Sequence, residues 1–170
     1  DVALTAIRAN PIDTATRPDV LTLPVLDGEV QWEGRATLLS IVERHGRGGA
    51  RACAPLLGFD LGDGAVATTY SHDSHNLTTI GTSRAAMVLA ANTVIEAGGG
   101  IAVVHNGRVA ALLKLPVGGL MSDRPISEVV ASAQDVRAAL HAWGYRHANA
   151  FMSVSTLSLP VSPALKLTDQ

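Results

Sequence analysis

The sequence predicts an α+β domain: a mainly antiparallel sheet, or two, with two covering helices, built from two pseudo-symmetric ββα units. Three observations predict it. Two stretches, near 83–97 and 127–143, carry apolar residues at helical spacing and end in glycine. Short Ala, Val, Leu and Ile runs around Asp-Gly and Asn-Gly steps precede them, as strands joined by tight turns would. The order hairpin, polar loop, helix, glycine then occurs twice, with no more residue identity than turns and packing impose. At 170 residues, a single domain over 1–170 buries most of its apolar surface, and two ordinary domains do not fit.

Residues Val2 to Arg8 read as a short strand, and "ANPIDTATRPDV" after it, rich in Pro, Asp and Thr, as an exposed loop. "RATLLSIVER" from Arg35 to Arg44 reads as a buried strand. "HGRGGARA" then forms a flexible basic loop, suited to touching an anion or merely to turning. "APLLGFDLGDGAVATTYS" reads as two antiparallel strands joined at "GDG", whose Asp-Gly step supplies positive φ. A polar run and "LTTIG" follow, and then Ser83 caps a helix to Ala97 with Met87, Ala91, Val94 and Ile95 on one face; "GGG" at 98–100 stops it.

The second unit runs through "IAVVH" (101–105), the turn "NG", "RVAALLKLP" (108–116) and the loop "VGGLMSDRP" to a helix from about Ser127 to Trp143. Its apolar stripe is Val129, Ala133, Val136, Leu140 and Trp143, and Gly144 ends it. "FMSVSTLSLPVSP" alternates well enough for one more strand before prolines end it. Both helices are expected on one side of the sheet.

Hydrophobic residues make up 47% and charged residues 16%, which excludes a disordered segment and points to apolar surface that meets another domain or subunit, with a homodimer as the expected assembly. The 13 Lys+Arg nearly balance 15 Asp+Glu with no basic, aromatic-interleaved stripe, so nucleic acid is not an expected partner. Cys53 alone permits neither an internal disulfide nor a cysteine zinc cluster, which fits a reducing cytoplasm. Every apolar run falls short of the roughly 18 residues a membrane span needs. Asp1 and the closing "KLTDQ" read as ends cut from a longer chain. The glycines at 98–100 follow a helix instead of opening one, which disfavours a phosphate-cradling loop.

The chemistry is concentrated in "SHDSHN". As a continued strand the run would set Ser71, Asp73 and His75 on one face and His72, Ser74 and Asn76 on the other. Neighbours on a face would then lie about 7 Å apart at Cα, too far for a nucleophile and base that must meet within roughly 3.2 Å. Two imidazoles with a carboxylate between them suit zinc, iron or manganese, but a third ligand must come from elsewhere. The competing reading is a turn capped by Asp73 and Ser74, with the histidines bonded to backbone carbonyls. "LMSDRP" at 120–125, with Ser122 and Asp123, stands at the corresponding point of the second unit, where two loops at one sheet end would share a site; alone it reads as an ordinary loop before a helix. His45, His105, His141 and His147 stand isolated and receive no functional weight.

"GFDLGDGAVATTYSHDSHNLTTIGT", "MVLAANTVIEAGGGIAVVHNGRVAALLKLPVGGLMSD" and "AFMSVSTLSLPVSPALKLTD", together with "ERHG" at 43–46, resemble the C-terminal domain of bacterial adenine deaminases of the amidohydrolase superfamily, from about Thr37 onward. The resemblance implies hydrolysis of adenine to hypoxanthine and ammonia in purine salvage, with metal-activated water: manganese or iron, or zinc. The metal-holding barrel and its His-x-His strand are absent from this sequence, so no metal is expected on this chain, and the chain alone is expected to be inactive. Docked against that N-terminal barrel, the run would close the purine site. His72, Asp73 and His75 are the expected catalytic groups, with Ser74, Asn76, Ser122 and Asp123 near the purine; strand parity adds Asp73 as the group that orients His75. The rival reading is a packing and oligomerisation module.

Overall fold

A computed structural model, which describes residues 1–169, places eight strands in one sheet of order β10-β9-β7-β8-β5-β6-β1-β2. These are β1 (Val2–Ala9), β2 (Thr16–Leu23), β5 (Thr37–Val42), β6 (Arg51–Leu57), β7 (Gly64–Thr68), β8 (Leu77–Gly81), β9 (Gly100–His105) and β10 (Arg108–Lys114); β3 (Val25–Leu26) and β4 (Glu29–Val30) form a separate ribbon. Every pairing in the large sheet is antiparallel except β1 with β6. Three helices accompany the strands: α1 (Arg84–Glu96), α2 (Ile126–Trp143) and the short α3 (Ala150–Ser155).

The centre of the sheet is buried on both faces. β7 alternates Ala65 and Ala67 toward a cluster with Ala86, Ala90 and Val94 of α1, and Val66 toward a cluster with Val136, Leu140 and Trp143 of α2. β9 alternates likewise: Ala102 and Val104 join the first cluster, Ile101 and Val103 the second. The two long helices therefore cover opposite faces, not one. The strand residues explain it: small alanines admit α1 closely, while larger β-branched residues on the other face meet the leucine and indole of α2.

The helices form where periodicity places them. Ser83 caps α1 by accepting from the Ala86 amide, and Gly144 closes α2 with φ 110°. The buried stripe of α1 is Ala86, Ala90 and Val94, one position off the predicted face, and Ile95 is 62% exposed. The Asn106-Gly107 turn, φ 51° and 70°, pairs Arg108 with His105 as predicted.

Four expectations are corrected. Residues 16–20 of the expected loop are not loop but part of β2 (Thr16–Leu23), at the sheet edge, where a proline such as Pro18, without an N–H to give to a ladder, is tolerated. "GDG" is not a hairpin turn: neither Gly62 nor Gly64 has positive φ, and β6 and β7 are not neighbours. The connection instead packs the half-buried Phe59 against the core, stacked on Tyr145 at 4.1 Å. The first ββα unit is accordingly β7-β8-α1, and the polar run lies inside its hairpin, so it does not correspond to the loop that precedes α2. The final apolar run is α3 and turns, because Ala150, Val154 and Leu157 fall on a helical face and Asn149 accepts from the Met152 amide.

Candidate functional site

The hairpin register builds the site. β5 pairs with β8 so that Val42 faces Leu77. Carried past the strand ends, the same antiparallel count sets Arg44 opposite His75 and His45 opposite Ser74. The side chains follow: Arg44 Nε donates to the His75 carbonyl at 2.5 Å, and His45 Nε2 donates to the Ser74 carbonyl at 2.7 Å. Arg44 Nη2 also donates to the Gly118 carbonyl at 2.8 Å, and Thr69 Oγ1 donates to the Gly119 carbonyl at 2.7 Å. The 69–76 loop, the 43–49 loop and residues 117–121 thus meet at one end of the sheet.

The 43–49 loop is not slack. Glu43, 8% exposed, accepts from the His45 amide through one carboxylate oxygen, and through the other from Arg47 at 2.9 Å and Gly49 at 3.1 Å. Burial opposes ionisation of Glu43, but the Gly49, His45 and Arg47 amides outweigh it and hold the carboxyl below its ordinary value.

The run itself is a turn over 72–74, not extended strand. Its inner side is anchored by the C-terminal segment. The His72 amide donates to the Ser155 carbonyl at 2.8 Å, and Ser158 Oγ donates to the His72 carbonyl at 3.0 Å. Since Ser158 has spent its only proton there, Ser71 Oγ donates to Ser158 at 2.6 Å and Thr78 Oγ1 donates to Ser71 at 2.6 Å. This directed hydroxyl chain gives the buried Ser158 its partners, whereas the buried Ser153 meets the Tyr145 hydroxyl at 2.9 Å and Ser155 donates to the Met152 carbonyl at 3.3 Å.

His75, at φ 51°, donates its amide to the Ser71 carbonyl at 2.6 Å, while the Ser71 amide donates to His75 Nδ1 at 3.4 Å. An Nδ1 that accepts leaves the proton of the neutral ring on Nε2. Burial, then the neighbouring His72 and Arg44, lower the His75 pKa below its ordinary 6.5, against the pull of Asp73, so the neutral form prevails at pH 7. His75 is therefore a fixed hydrogen-bond donor. Asp73 does not orient it as strand parity predicts: its carboxylate lies 3.8 Å from His72 Nδ1, because the turn breaks the parity.

Tyr70, His72 and His75 form a three-ring cluster, with centroids 5.2 Å apart for Tyr70–His72, 6.3 Å for Tyr70–His75 and 5.5 Å for His72–His75. The Tyr70 hydroxyl, His72 Nε2 and His75 Nε2 have no hydrogen-bond partner among the described residues. Ser74 lends its hydroxyl to the Asn76 amide at 3.4 Å, and the buried Asn76 Oδ1 is unpartnered. Ser122 and Asp123 lie elsewhere: with Lys114, Arg124 and Glu128 they line a separate surface cleft of about 500 Å³, and Ser122 accepts from the Arg124 amide. It is Gly118 and Gly119 of their loop that reach the cluster.

A metal does not fit these residues. His75 Nδ1 is occupied by the Ser71 amide, and among the described residues no group of three or more His, Cys, Asp or Glu side chains converges. Sequence reasoning passed over Tyr70, Arg44 and His45. Tyr70 adjoins the run, and Arg44 and His45 lie in the "ERHG" of the family resemblance, but which carbonyls those two bond depends on the β5–β8 register.

A partly exposed cluster of rings and fixed donors on a loop held from three sides defines a domain that presents a preset polar surface. Residues 13–170 match the model of the adenine deaminase C-terminal domain, and the chain belongs to that family. It is 50% identical over 157 residues to "Adenine deaminase 2" of Shouchella clausii, covering 92% of this chain and 27% of that protein. It is 46% identical over 157 residues to an adenine deaminase of Moorella thermoacetica (91% and 26%), and 45% identical over 134 residues to one of Escherichia coli (79% and 23%). The chain spans about a quarter of the length of these curated relatives. Among the described residues, no helix is long and apolar enough to cross a membrane.

Proposed function

We propose that this chain is the C-terminal part of an adenine deaminase, in which adenine and water give hypoxanthine and ammonia, and that the 70–76 cluster closes the purine site against an N-terminal amidohydrolase barrel. Family membership and relatives bearing that name support the activity. The observation that carries the assignment of the site is His75: a neutral imidazole whose Nε2–H is fixed outside its own fold's hydrogen bonds, next to the rings of Tyr70 and His72. A purine offers ring nitrogens that accept such a proton and a flat face that packs on such rings. His75 in this form donates; it does not abstract. His72, with Asp73 beside it, is the group free to exchange protons.

In the same proposal the divalent metal, manganese, iron or zinc, activates the attacking water and belongs to the barrel. A role in purine salvage and a cytoplasmic location go with it, the latter suited by the exposed, unpaired Cys53. Exposed apolar residues on the outer helix faces, Val88 and Ile95 of α1 and Ile126 and Val130 of α2, favour a second role in packing, as a homodimer or against the barrel.

The test uses the full-length enzyme. His75→Ala is expected to lower kcat/KM for adenine by about 10²-fold, the scale of one lost preorganised donor, and Asp73→Asn to lower kcat by a smaller factor, with bound metal unchanged in both. Unchanged turnover in both variants would make the run structural and end the proposal.

A further inference from the structure

Arg44 touches neither Nε2 of His75 nor any ring of the cluster, yet it is the residue that joins the loops around them. Its guanidinium spans the carbonyls of His75 and Gly118, 2.5 Å and 2.8 Å away. The fit leaves no slack: a Cβ on Gly119, at φ 77°, would lie 2.8 Å from Arg44 Nη2. The base of Arg44 is fixed too, because Glu43 gathers the amides of the loop that follows. His75 needs such a tether. It sits at positive φ, a conformation an ordinary side chain holds only when its surroundings impose it, and in that conformation its amide donates to the Ser71 carbonyl and its ring accepts from the Ser71 amide.

We infer that Arg44 is a positioning residue for the purine site, acting through the backbone carbonyl of His75 to hold the imidazole with Nδ1 on the Ser71 amide and Nε2–H presented to the substrate. His45, on the Ser74 carbonyl, is the second tether. The inference rests on the purine-site reading above. Arg44 also acts through charge. The groups facing His75 are His72, Arg44, Asp73 and His45, and only the carboxylate favours its protonation, so removing Arg44 makes His75 easier to protonate and to lose as an Nδ1 acceptor.

Arg44→Ala and Arg44→Lys in the full-length enzyme test this, with kcat/KM, the pH profile of kcat, and amide hydrogen exchange at 74–76 as readouts. Arg44→Ala is expected to lower kcat/KM by about 10- to 100-fold, the cost of a misplaced reacting group, to move the acid limb of the profile to higher pH and to speed exchange at 74–76. Millimolar guanidinium restores part of the activity. Arg44→Lys, keeping the charge and one bond, leaves the acid limb in place. Arg44→Ala with wild-type kcat/KM, acid limb and exchange overturns the inference even where His75→Ala is inactive, which leaves the purine-site reading intact. A silent His75→Ala with fast exchange in Arg44→Ala is the opposite result: the tether is real, and the purine-site reading fails along with the positioning role.

Discussion

Trp143→Ala is expected to destabilise this domain by about 3–5 kcal/mol, a large share of the roughly 5–15 kcal/mol that holds a typical domain folded. Trp143 is 1% exposed, the last residue of α2, and stacks toward Tyr145 with centroids 6.4 Å apart; Tyr145 in turn stacks on Phe59. Its indole Nε1 donates to the Gly62 carbonyl at 2.8 Å, and its own carbonyl accepts from the Gly62 amide at 3.1 Å. The residue therefore fastens the β6–β7 connection to α2 by both ring and backbone. Trp143→Phe keeps a ring and loses the indole bond, while the Gly62 carbonyl still accepts from Thr82 Oγ1 at 3.0 Å, so a smaller loss of about 0.5–1.5 kcal/mol is expected. Urea denaturation midpoints of the two variants check the order. Equal, small losses would show that the connection is held by something else.

The second large effect belongs to Gly100→Ala. Gly100 opens β9 at φ 142°, and a Cβ there would lie 2.0 Å from the Leu113 carbonyl oxygen on the paired strand. Backbone cannot step aside as a flexible side chain can, so the start of β9 must separate from the end of β10. The damage reaches the site. The Gly100 amide donates to Thr69 Oγ1 at 2.9 Å, and Thr69 holds the Gly119 carbonyl beside Arg44. Positional strain and backbone clash together predict a loss of about 3–5 kcal/mol; under the proposed function, adenine turnover of the full-length enzyme is expected to fall alongside. Gly107→Ala is the control: φ 70° with no atom within 4 Å of the added Cβ, so only the conformational cost of about 1 kcal/mol applies. Thermal unfolding of the two variants separates strain from contact; matched shifts would refute the close-approach argument.

These two residues show what the sequence could convey and what it could not. The α2 stripe ending in Trp143 and Gly144 was legible, because local period and a left-handed cap are written in adjacent residues. So was the Asn-Gly hairpin, where two positive φ values have a sequence signature. Yet the triple glycine reads only as a helix stop, whereas Gly99 and Gly100 are needed where one strand start passes close to residues near 113–119, a contact no local pattern encodes. "GDG" failed for the opposite reason: the turn signal was present, but burying Phe59 and Leu61 outweighed it. The serines of "SVSTLS" mimic strand alternation while serving a helix and a hydroxyl chain.

The candidate site divides the same way. The run at 72–76 is visible because two imidazoles, a carboxylate, a hydroxyl and an amide in a row are conspicuous in a chain with only 16% charged residues. The pairing of Asp73 with His75 was not to be had from parity once the chain turns at 72–74, and the tautomer of His75 is set by a backbone amide, which has no sequence signature. Arg44 and His45 lie some 30 residues away, and only the Val42–Leu77 register carries them to the carbonyls of His75 and Ser74. The symmetry that sets the Ser122 and Asp123 loop beside the run does not hold for the hairpin observed, and it is the loop's glycines, not these two side chains, that meet the cluster.

The most direct measurement is a crystal structure of the full-length enzyme with hypoxanthine or a stable purine analogue bound. The account predicts His75 Nε2 within about 3.2 Å of a purine acceptor, with Nδ1 still on the Ser71 amide and Arg44 still bridging the two loops. A purine bound in the barrel with residues 70–76 facing away from it, toward solvent or a second subunit, would contradict the account.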